Sequence, residues 1–372
     1  MCSAYAARTL SRMKTNRNVA GLSGIVAIVL LLAACTSTAV PSSVKTQTPS
    51  PSVSRLAVPS APPSPSQEVV WPLTGVDATD ASPKDLARPA LSIKIENSSA
   101  ARPQENLDAA DVVFEEYVEY GISRLIAVYH SDAPKSVGPV RSMRPMDKNI
   151  MGSMKGPLVF SGAQGRFIDA TVKSGQKILT QDRGAYGFYR TSDKAAPHNL
   201  HGYPSDFFKQ AADMPQPPQQ WGIVEDGGEP TSATGDTVSK IDILMSGRSK
   251  PSWKWDDGAK SWQRFEDGKA HVTTAGTQIG ATNVVVLWVT VKYTSAKGGS
   301  SVPETIVAGK DGAGYVVSGN TEIPIKWSKA GQFDPFVFTT EAGDPVELLP
   351  GKTWVELIPN KGVDNKTSVD FS

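Results

Sequence analysis

Apolar and polar positions in the first half of the chain follow a pattern of short strands separated by short helices. Residues 91–96 alternate apolar and polar side chains, as a half-exposed strand does. Strands that alternate with helices predict an α/β domain, with a mixed sheet and flanking helices, over residues 71–214. Its other strand candidates are residues 112–114, 122–129 and 157–160, and its helix candidates are residues 142–154, 164–173 and 205–212.

The second half has a different pattern, because its apolar runs are short, numerous and separated by turns such as Asp267-Gly268. This pattern predicts a mostly-β domain, a sandwich or barrel, over residues 239–362. Residues 215–238 are rich in Pro, Gly, Gln and Asp and predict a connector, and residues 363–372 form a predicted tail. The tryptophans of this half either fill a small β core or offer rings on which a saccharide can stack.

The N-terminus has the pattern of a secretory signal. A basic segment precedes an apolar stretch over residues 19–34, and Leu32-Ala33-Ala34-Cys35 matches the bacterial lipoprotein box. We therefore predict a lipoprotein signal peptide over residues 1–34 and acylation of Cys35, which would place the protein at the cell membrane, lipid-anchored on its extracytoplasmic face. The alternative is a single membrane-spanning helix, for which the stretch is short.

Residues 35–70 contain the lipidated Cys and a segment dominated by Ser, Thr and Pro without apolar periodicity. Such a composition cannot build a core and predicts a disordered or polyproline tether between membrane and folded part.

Charge and cysteine content exclude several classes of partner. The 372 residues contain 38 Lys and Arg against 37 Asp and Glu, and four of the basic residues lie in the predicted signal. No basic tract remains for nucleic acid, and a single apolar run excludes a multi-span membrane protein. Cys2 and Cys35 are both taken up by the signal and the lipid, so no disulfide or Cys-ligated metal is expected, and no cofactor is predicted.

A series of short blocks follows the tether in a fixed order. The blocks are Arg88-Pro89, Asn97, Ala101-Arg102-Pro103-Gln104, Asn106-Leu107, residues 110–115, Glu119, residues 121–124, residues 138–145, residues 197–200 and, in the second domain, Asn283-Val284-Val285. This series resembles the signature of the YerB-like bacterial lipoproteins, although Tyr120 and Ser123 depart from the family pattern. The resemblance implies two domains of unknown function at the cell envelope, and it therefore implies fold organisation and location more firmly than chemistry.

Arginines in these blocks favour an anion site. Arg141, Ser142 and Arg144 follow a predicted strand and precede a predicted helix, where guanidinium groups and free backbone N–H groups favour phosphate or carboxylate. Arg102 and Arg124 can join the same pocket. The alternative is that these arginines pair with acidic residues of the sheet or lie solvated; the acidic candidates are Asp111, Glu115 and Glu119.

Acid–base candidates are fewer. Glu115 and Glu119 would share one face of an extended strand, about 13 Å apart, which is too far for a glycosidase pair unless the chain turns back. Ion pairing to arginine is therefore the main interpretation of both. His198 and Asn199 follow a proline in a loop and can act as pocket contacts, with His198 as a general base; a hydrogen bond that anchors the loop is the more ordinary role for His198, and as a metal site the segment is weak.

The sequence is compatible with three functional hypotheses. The leading hypothesis is a non-catalytic lipoprotein that binds an anionic cell-wall or lipid-linked component, or a partner protein. The second is an enzyme that acts on cell-wall polymer or a phosphate-linked envelope precursor, with the carboxylates and His198 as acid and base and the arginines as charge stabilisers. The third is a scaffold that docks an envelope protein through the β domain.

Overall fold

The computed structural model describes residues 69–295, 297–299, 301–360 and 366–372. The predicted signal peptide, Cys35 and the tether up to residue 68 lie outside the described residues. Within these ranges the chain forms a single compact unit, and none of its helices is long and apolar enough to cross a membrane.

Strands dominate both halves of the described part of the chain, and the four α-helices found there all lie in the first half. The helices are α1 (Pro83–Leu86), α2 (Asp147–Met151), α3 (Gly165–Lys173) and α4 (Pro204–Gln210). The strands are β1 (Leu91–Glu96), β2 (Val112–Tyr117), β3 (Ser123–Tyr129), β4 (Leu158–Phe160), β5 (Ile178–Thr180), β6 (Phe188–Arg190), β7 (Leu200–Gly202), β8 (Gly222–Ile223), β9 (Asp236–Thr237), β10 (Lys240–Leu244), β11 (Pro251–Asp256), β12 (Ser261–Glu266), β13 (Lys269–Ala270), β14 (Gly280–Ala281), β15 (Asn283–Ser295), β16 (Ser301–Ile306), β17 (Lys310–Ser318), β18 (Thr321–Lys329), β19 (Val337–Thr339), β20 (Glu347–Leu348), β21 (Thr353–Pro359) and β22 (Ser368–Phe371).

One mixed sheet of twelve strands contains strands from both halves. Its order is β19-β18-β17-β15-β21-β2-β3-β1-β4-β5, with β16 paired to β15 and β9 paired to β18. The halves join where β2 pairs in parallel with β21, from Val112 opposite Thr353 to Glu116 opposite Leu357. At the other end of the sheet β1, β4 and β5 run parallel, and α3 connects the last two.

Both faces of the central strands are covered. Val112 and Phe114 pack into one hydrophobic cluster, whereas Val113 and Tyr117 pack into another on the opposite face. The expectation that residues 91–96 form a half-exposed strand is wrong, because all six residues of β1 are buried. The charged residues of β1, Lys94 and Glu96, are inside the protein because they are paired there, as described below.

A second sheet, in the order β13-β12-β11-β10-β22 with β14 beside β12, contains the short strands of the second half. Residues 368–371, in the predicted tail, supply its edge strand β22. Trp253 and Trp262 of this sheet are fully buried, and the Trp253 ring lies 5.3 Å from that of Trp354 on β21. An α/β first half followed by a mostly-β second half is therefore confirmed, with Trp253 and Trp262 as core residues.

Candidate functional site

A polar cleft of about 450 Å³ lies at the carboxyl ends of the parallel strands β4 and β5. This edge of a sheet that contains parallel strands is where ligands usually bind, because strand ends and helix N-termini meet there. We call it the arginine cleft. It is lined by Glu119, Ser142, Met143, Arg144, Ser161, Gly162, Ala163, Gln164, Phe167, Gln181, Asp182, Arg190 and Val302.

The Arg141–Arg144 segment forms one wall of this cleft because the backbone holds it between two strand ends. The N–H of Arg141 donates to the carbonyl of Lys94 at 2.8 Å, and the carbonyl of Arg141 accepts from the N–H of Ser161 at 3.1 Å. The N–H of Met143 then donates to the carbonyl of Gly162 at 3.2 Å. Ser142 and Arg144 are thereby fixed facing the residues that follow β4.

Arg124 adjoins the cleft at the start of β3. It lies opposite Glu96 on β1 and opposite Glu116 on β2, and its Nη1 donates to the carbonyl of Ser142 at 3.0 Å. Burial, with the neighbouring charges of Arg144 and Arg141, lowers the pKa of Arg124 to about 10, so the group stays protonated at neutral pH. Its Nε has no hydrogen-bond partner among the described residues.

Two carboxylates partly balance these arginines. Glu119 Oε2 accepts from Nε of Arg144 at 2.7 Å, and Glu96 Oε2 lies 3.4 Å from Nε of Arg141. Glu119 is half-buried in a 3₁₀ turn beyond the end of β2, where strand alternation no longer applies. Ion pairing is the role that its geometry supports.

Glu115 lies on the opposite face of β2 and does not meet Glu119. Glu115 is fully buried, and its Oε2 lies 2.7 Å from Nη2 of Arg264. The Arg264 guanidinium also pairs with Glu266 and Glu356. Ser123 Oγ donates to Glu115 Oε1 at 2.5 Å. With no solvent access, Glu115 serves as a structural link between the halves rather than as a surface acid.

Arg102 is also directed away from the arginine cleft. Its Nη2 donates to Asp267 at 2.8 Å and its Nη1 lies 3.6 Å from Glu266. It lines a separate groove of about 340 Å³ together with Lys269 and His271. The structure thus gathers Arg124, Arg141 and Arg144, and the fourth arginine of the cleft is another residue.

That fourth arginine is Arg190, at the end of β6. Its Nη1 donates to Oδ1 of Asn199 at 2.8 Å, and Nδ2 of Asn199 donates to the carbonyl of Thr191 at 2.7 Å. Asn199 is therefore a positioning residue for Arg190. The neighbouring His198 places Nδ1 at 2.9 Å from Oε1 of Glu96, and its side chain is about a quarter exposed.

Three buried ionisable side chains, those of Lys94, Glu116 and Asp147, lie behind the cleft wall. Nζ of Lys94 contacts Oε1 of Glu116 and Oδ1 of Asp147, and Oδ2 of Asp147 accepts the backbone N–H of Arg144 at 3.0 Å. All three side chains have no solvent access. Burial and the adjacent Asp147 raise the pKa of Glu116 to about 8, against the opposing charge of Lys94.

Sequence reasoning missed Arg190, Asp182, Ser161 and Gln164. The sequence pattern could have pointed to three of them, Ser161, Gln164 and Asp182. They follow the strands of a strand–helix–strand unit, and the carboxyl ends of such strands lie at one edge of the sheet. No such pattern points to Arg190, because among the described strands β6 pairs with β7 alone. Among the described residues no three His, Cys, Asp or Glu side chains are arranged to hold a metal ion.

Comparison with known proteins matches both halves. Residues 73–216 match the family described as "Protein of unknown function (DUF3048) N-terminal domain", and residues 241–355 match the corresponding C-terminal domain. The chain is 23% identical over 313 residues to "Putative lipoprotein YerB" of Bacillus subtilis (strain 168), a match that covers 81% of this chain and 89% of that protein.

A solved structure has the same fold. The crystal structure of the YerB protein from Bacillus subtilis matches with a TM-score of 0.66 at 22% sequence identity, covering 82% of this chain and 100% of that one. Both family regions, their order and the fold over most of the chain agree with the resemblance in the sequence. The chain therefore belongs to the YerB-like two-domain family.

Proposed function

We propose that this chain is an envelope lipoprotein whose folded part binds an anionic ligand in the arginine cleft. The observation that carries the proposal is the convergence of four guanidinium groups: Arg144 and Arg190 line the cleft, and Arg124 and Arg141 adjoin it. Burial first, and then the neighbouring charges of Arg144 and Arg141, lower the pKa of Arg124, so these guanidinium groups repel one another. An anion placed among them would relieve that repulsion, which supports binding of phosphate or carboxylate.

Location supports an envelope ligand. The lipoprotein box at Cys35 and the name of the Bacillus subtilis relative support an N-terminal lipid anchor, with the folded part on the extracytoplasmic face. Residues 36–68 would then act as a tether. A cleft of about 450 Å³ suits a small group of a cell-wall or lipid-linked component rather than a polymer surface.

The test is calorimetric titration of the full-length chain, purified in detergent, with inorganic pyrophosphate. We expect saturable binding that weakens at least tenfold in Arg144→Ala/Arg190→Ala, because charge-assisted hydrogen bonds contribute about 1.5–3 kcal/mol each. Arg248→Ala is the matched control, since Arg248 is exposed and lies outside the cleft lining. Equal affinity of wild type and double variant, with both folded, would remove the cleft as the site.

A second candidate function is hydrolysis or group transfer, with His198 as general base. Glu96 holds Nδ1 of His198, while Nε2 makes no hydrogen bond within the described part of the chain, which is how a carboxylate orients a base. The test is incubation of wild type and His198→Ala with peptidoglycan fragments, followed by mass spectrometry. Product formed by wild type and lost in the variant would favour this candidate; absence of product from wild type would contradict it.

A further inference from the structure

Four charged side chains line the arginine cleft, and two of them have no partner of opposite charge among the described residues. Arg144 and Glu119 satisfy each other, but the guanidinium of Arg190 bonds only the neutral amide of Asn199. The carboxylate of Asp182 forms no ion pair and no hydrogen bond within the described part, whereas the next residue, Arg183, pairs with Asp169. Among the described residues that line the cleft, Arg190 and Asp182 are therefore the cation and the anion without an oppositely charged partner, and both are exposed to solvent.

Asp182 is held in the cleft by the fold. Its backbone N–H donates to the carbonyl of Ser161 at 3.3 Å, in the 3₁₀ turn that follows β5. Its carboxylate packs directly on Gly162, since a Cβ added there would lie 1.9 Å from Oδ2. In this conformation the exposed Asp182 carboxylate occupies the space over Gly162 that a larger side chain would enter.

The other lining groups suit a small molecule with polar and aliphatic parts. Ser142 and Ser161 offer hydroxyl groups, and Gln164 and Gln181 offer amides that can donate and accept. Phe167 and Val302 add apolar surface. A simple inorganic anion would satisfy Arg190 but would be repelled by Asp182, whereas a ligand that also carries an ammonium group would satisfy both.

We infer that the natural ligand of the arginine cleft is zwitterionic, with an acidic group bound at Arg190 and an ammonium group bound at Asp182. This inference rests on the proposed anion-binding function and narrows its ligand class. Two envelope sources share this chemistry: a short peptide with a free amine and an acidic residue, and a phosphoethanolamine headgroup.

Two matched pairs of probes separate ammonium recognition from anion recognition. The dipeptide Ala-Glu is compared with N-acetyl-Ala-Glu, and phosphoethanolamine is compared with ethyl phosphate, by calorimetry on the full-length chain in detergent. Within each pair only the ammonium group differs. We expect the amine-bearing member of at least one pair to bind about tenfold more tightly, and the pair that shows the preference identifies the source.

Variants test whether Asp182 causes the tighter binding of the amine-bearing probe. In Asp182→Asn the preference should disappear while the amine-free probe binds at least as well, because a repulsive carboxylate has been removed. In Arg190→Gln both members of the pair should weaken together. Asp344→Asn, an exposed position outside the cleft lining, is the control and should behave as wild type.

The outcomes distinguish this inference from the proposed function. Arginine-dependent binding of pyrophosphate with no ammonium preference in either pair would overturn the inference alone. A preference that survives in Asp182→Asn would also overturn it. If pyrophosphate and all four probes fail to bind, both the inference and the proposed anion site are overturned.

Discussion

Burial and the adjacent Asp147 raise the pKa of the Glu116 carboxyl. Its pKa of about 8 in the folded state exceeds the ordinary value of 4.5, so between these values the folded protein holds a proton that the unfolded chain has released. The resulting stabilisation is fully present below about pH 4.5 and is lost as the pH rises through 8. We expect the free energy of unfolding to fall across this window, by about 1.4 kcal/mol for each tenfold difference in proton affinity.

Glu116→Gln keeps the neutral shape and removes the proton. Denaturant unfolding of the variant at several pH values should give a flatter profile between about pH 4.5 and 8 than wild type. Glu341→Gln, at an exposed position, should follow wild type. Both variants retain Glu356, whose pKa is also raised by burial and by the adjacent Glu115. A difference between their pH profiles is therefore due to Glu116. Parallel profiles for Glu116→Gln and wild type would contradict the assignment.

Gly156 permits the close contact that joins β4 to the central sheet. A Cβ at this position would lie 1.8 Å from the backbone carbonyl oxygen of Ala90, next to the start of β1. Backbone cannot swing aside as a side chain can, so Gly156→Ala should displace β4. We expect a loss of about 2–4 kcal/mol in the free energy of unfolding, measured by chemical denaturation.

Gly165 provides the matched control. It is the first residue of α3, and a Cβ there meets nothing within 4 Å. Gly165→Ala should therefore be neutral or slightly stabilising, by up to about 1 kcal/mol. Equal effects at the two glycines would argue against tight packing between β4 and the chain before β1.

Element by element, the sequence predicted most strands of the first half but not their burial. Residues 91–96 alternate as a half-exposed strand does, yet Lys94 is fully buried because Glu116 and Asp147 meet its ammonium from other elements. No local pattern distinguishes a lysine that faces water from one paired across the fold. The pattern also predicts that Glu119 shares one strand face with Glu115, but the strand ends at Tyr117. The exact end of a strand is difficult to predict from the pattern of a single sequence.

At the scale of the whole molecule, Arg264 ties the two halves together. It is fully buried between the rings of Trp354 and Trp253, and it bonds Glu115 from the first half and Glu266 and Glu356 from the second. Removing its charge would leave three buried carboxylates without their cation. Arg264→Met should therefore lower the free energy of unfolding by about 3–5 kcal/mol.

Thermal and denaturant unfolding would measure this loss, with Arg248→Met as the exposed control. Wild type should unfold in one transition seen equally by tryptophan fluorescence and by circular dichroism, since β2 and β21 share a sheet. The loss in Arg264→Met should shrink at low pH, where the carboxylates take up protons. A loss below about 1 kcal/mol at neutral pH would contradict the linking role.

Long-range pairing explains why the sequence located only part of the site. The sequence predicts one pocket for Arg124, Arg141 and Arg144, and these three lie near one another in the structure because they are on adjoining segments of the first half. Arg102 instead pairs with Asp267, 165 residues away, and Glu115 pairs with Arg264, 149 residues away. Such partners follow from how the second sheet packs on the first, which neither periodicity nor a motif encodes.

The central claim is that the arginine cleft is the anion site, and arginine side-chain NMR tests it most directly. The full-length chain, labelled with ¹⁵N at arginine Nε and assigned by single variants, would be titrated with pyrophosphate. We expect the Arg144 and Arg190 signals to shift first and to saturate together, while the signal of the exposed Arg248 stays in place. Signals that move first at Arg102 or Arg248, or shift evenly over all exposed arginines, would contradict it.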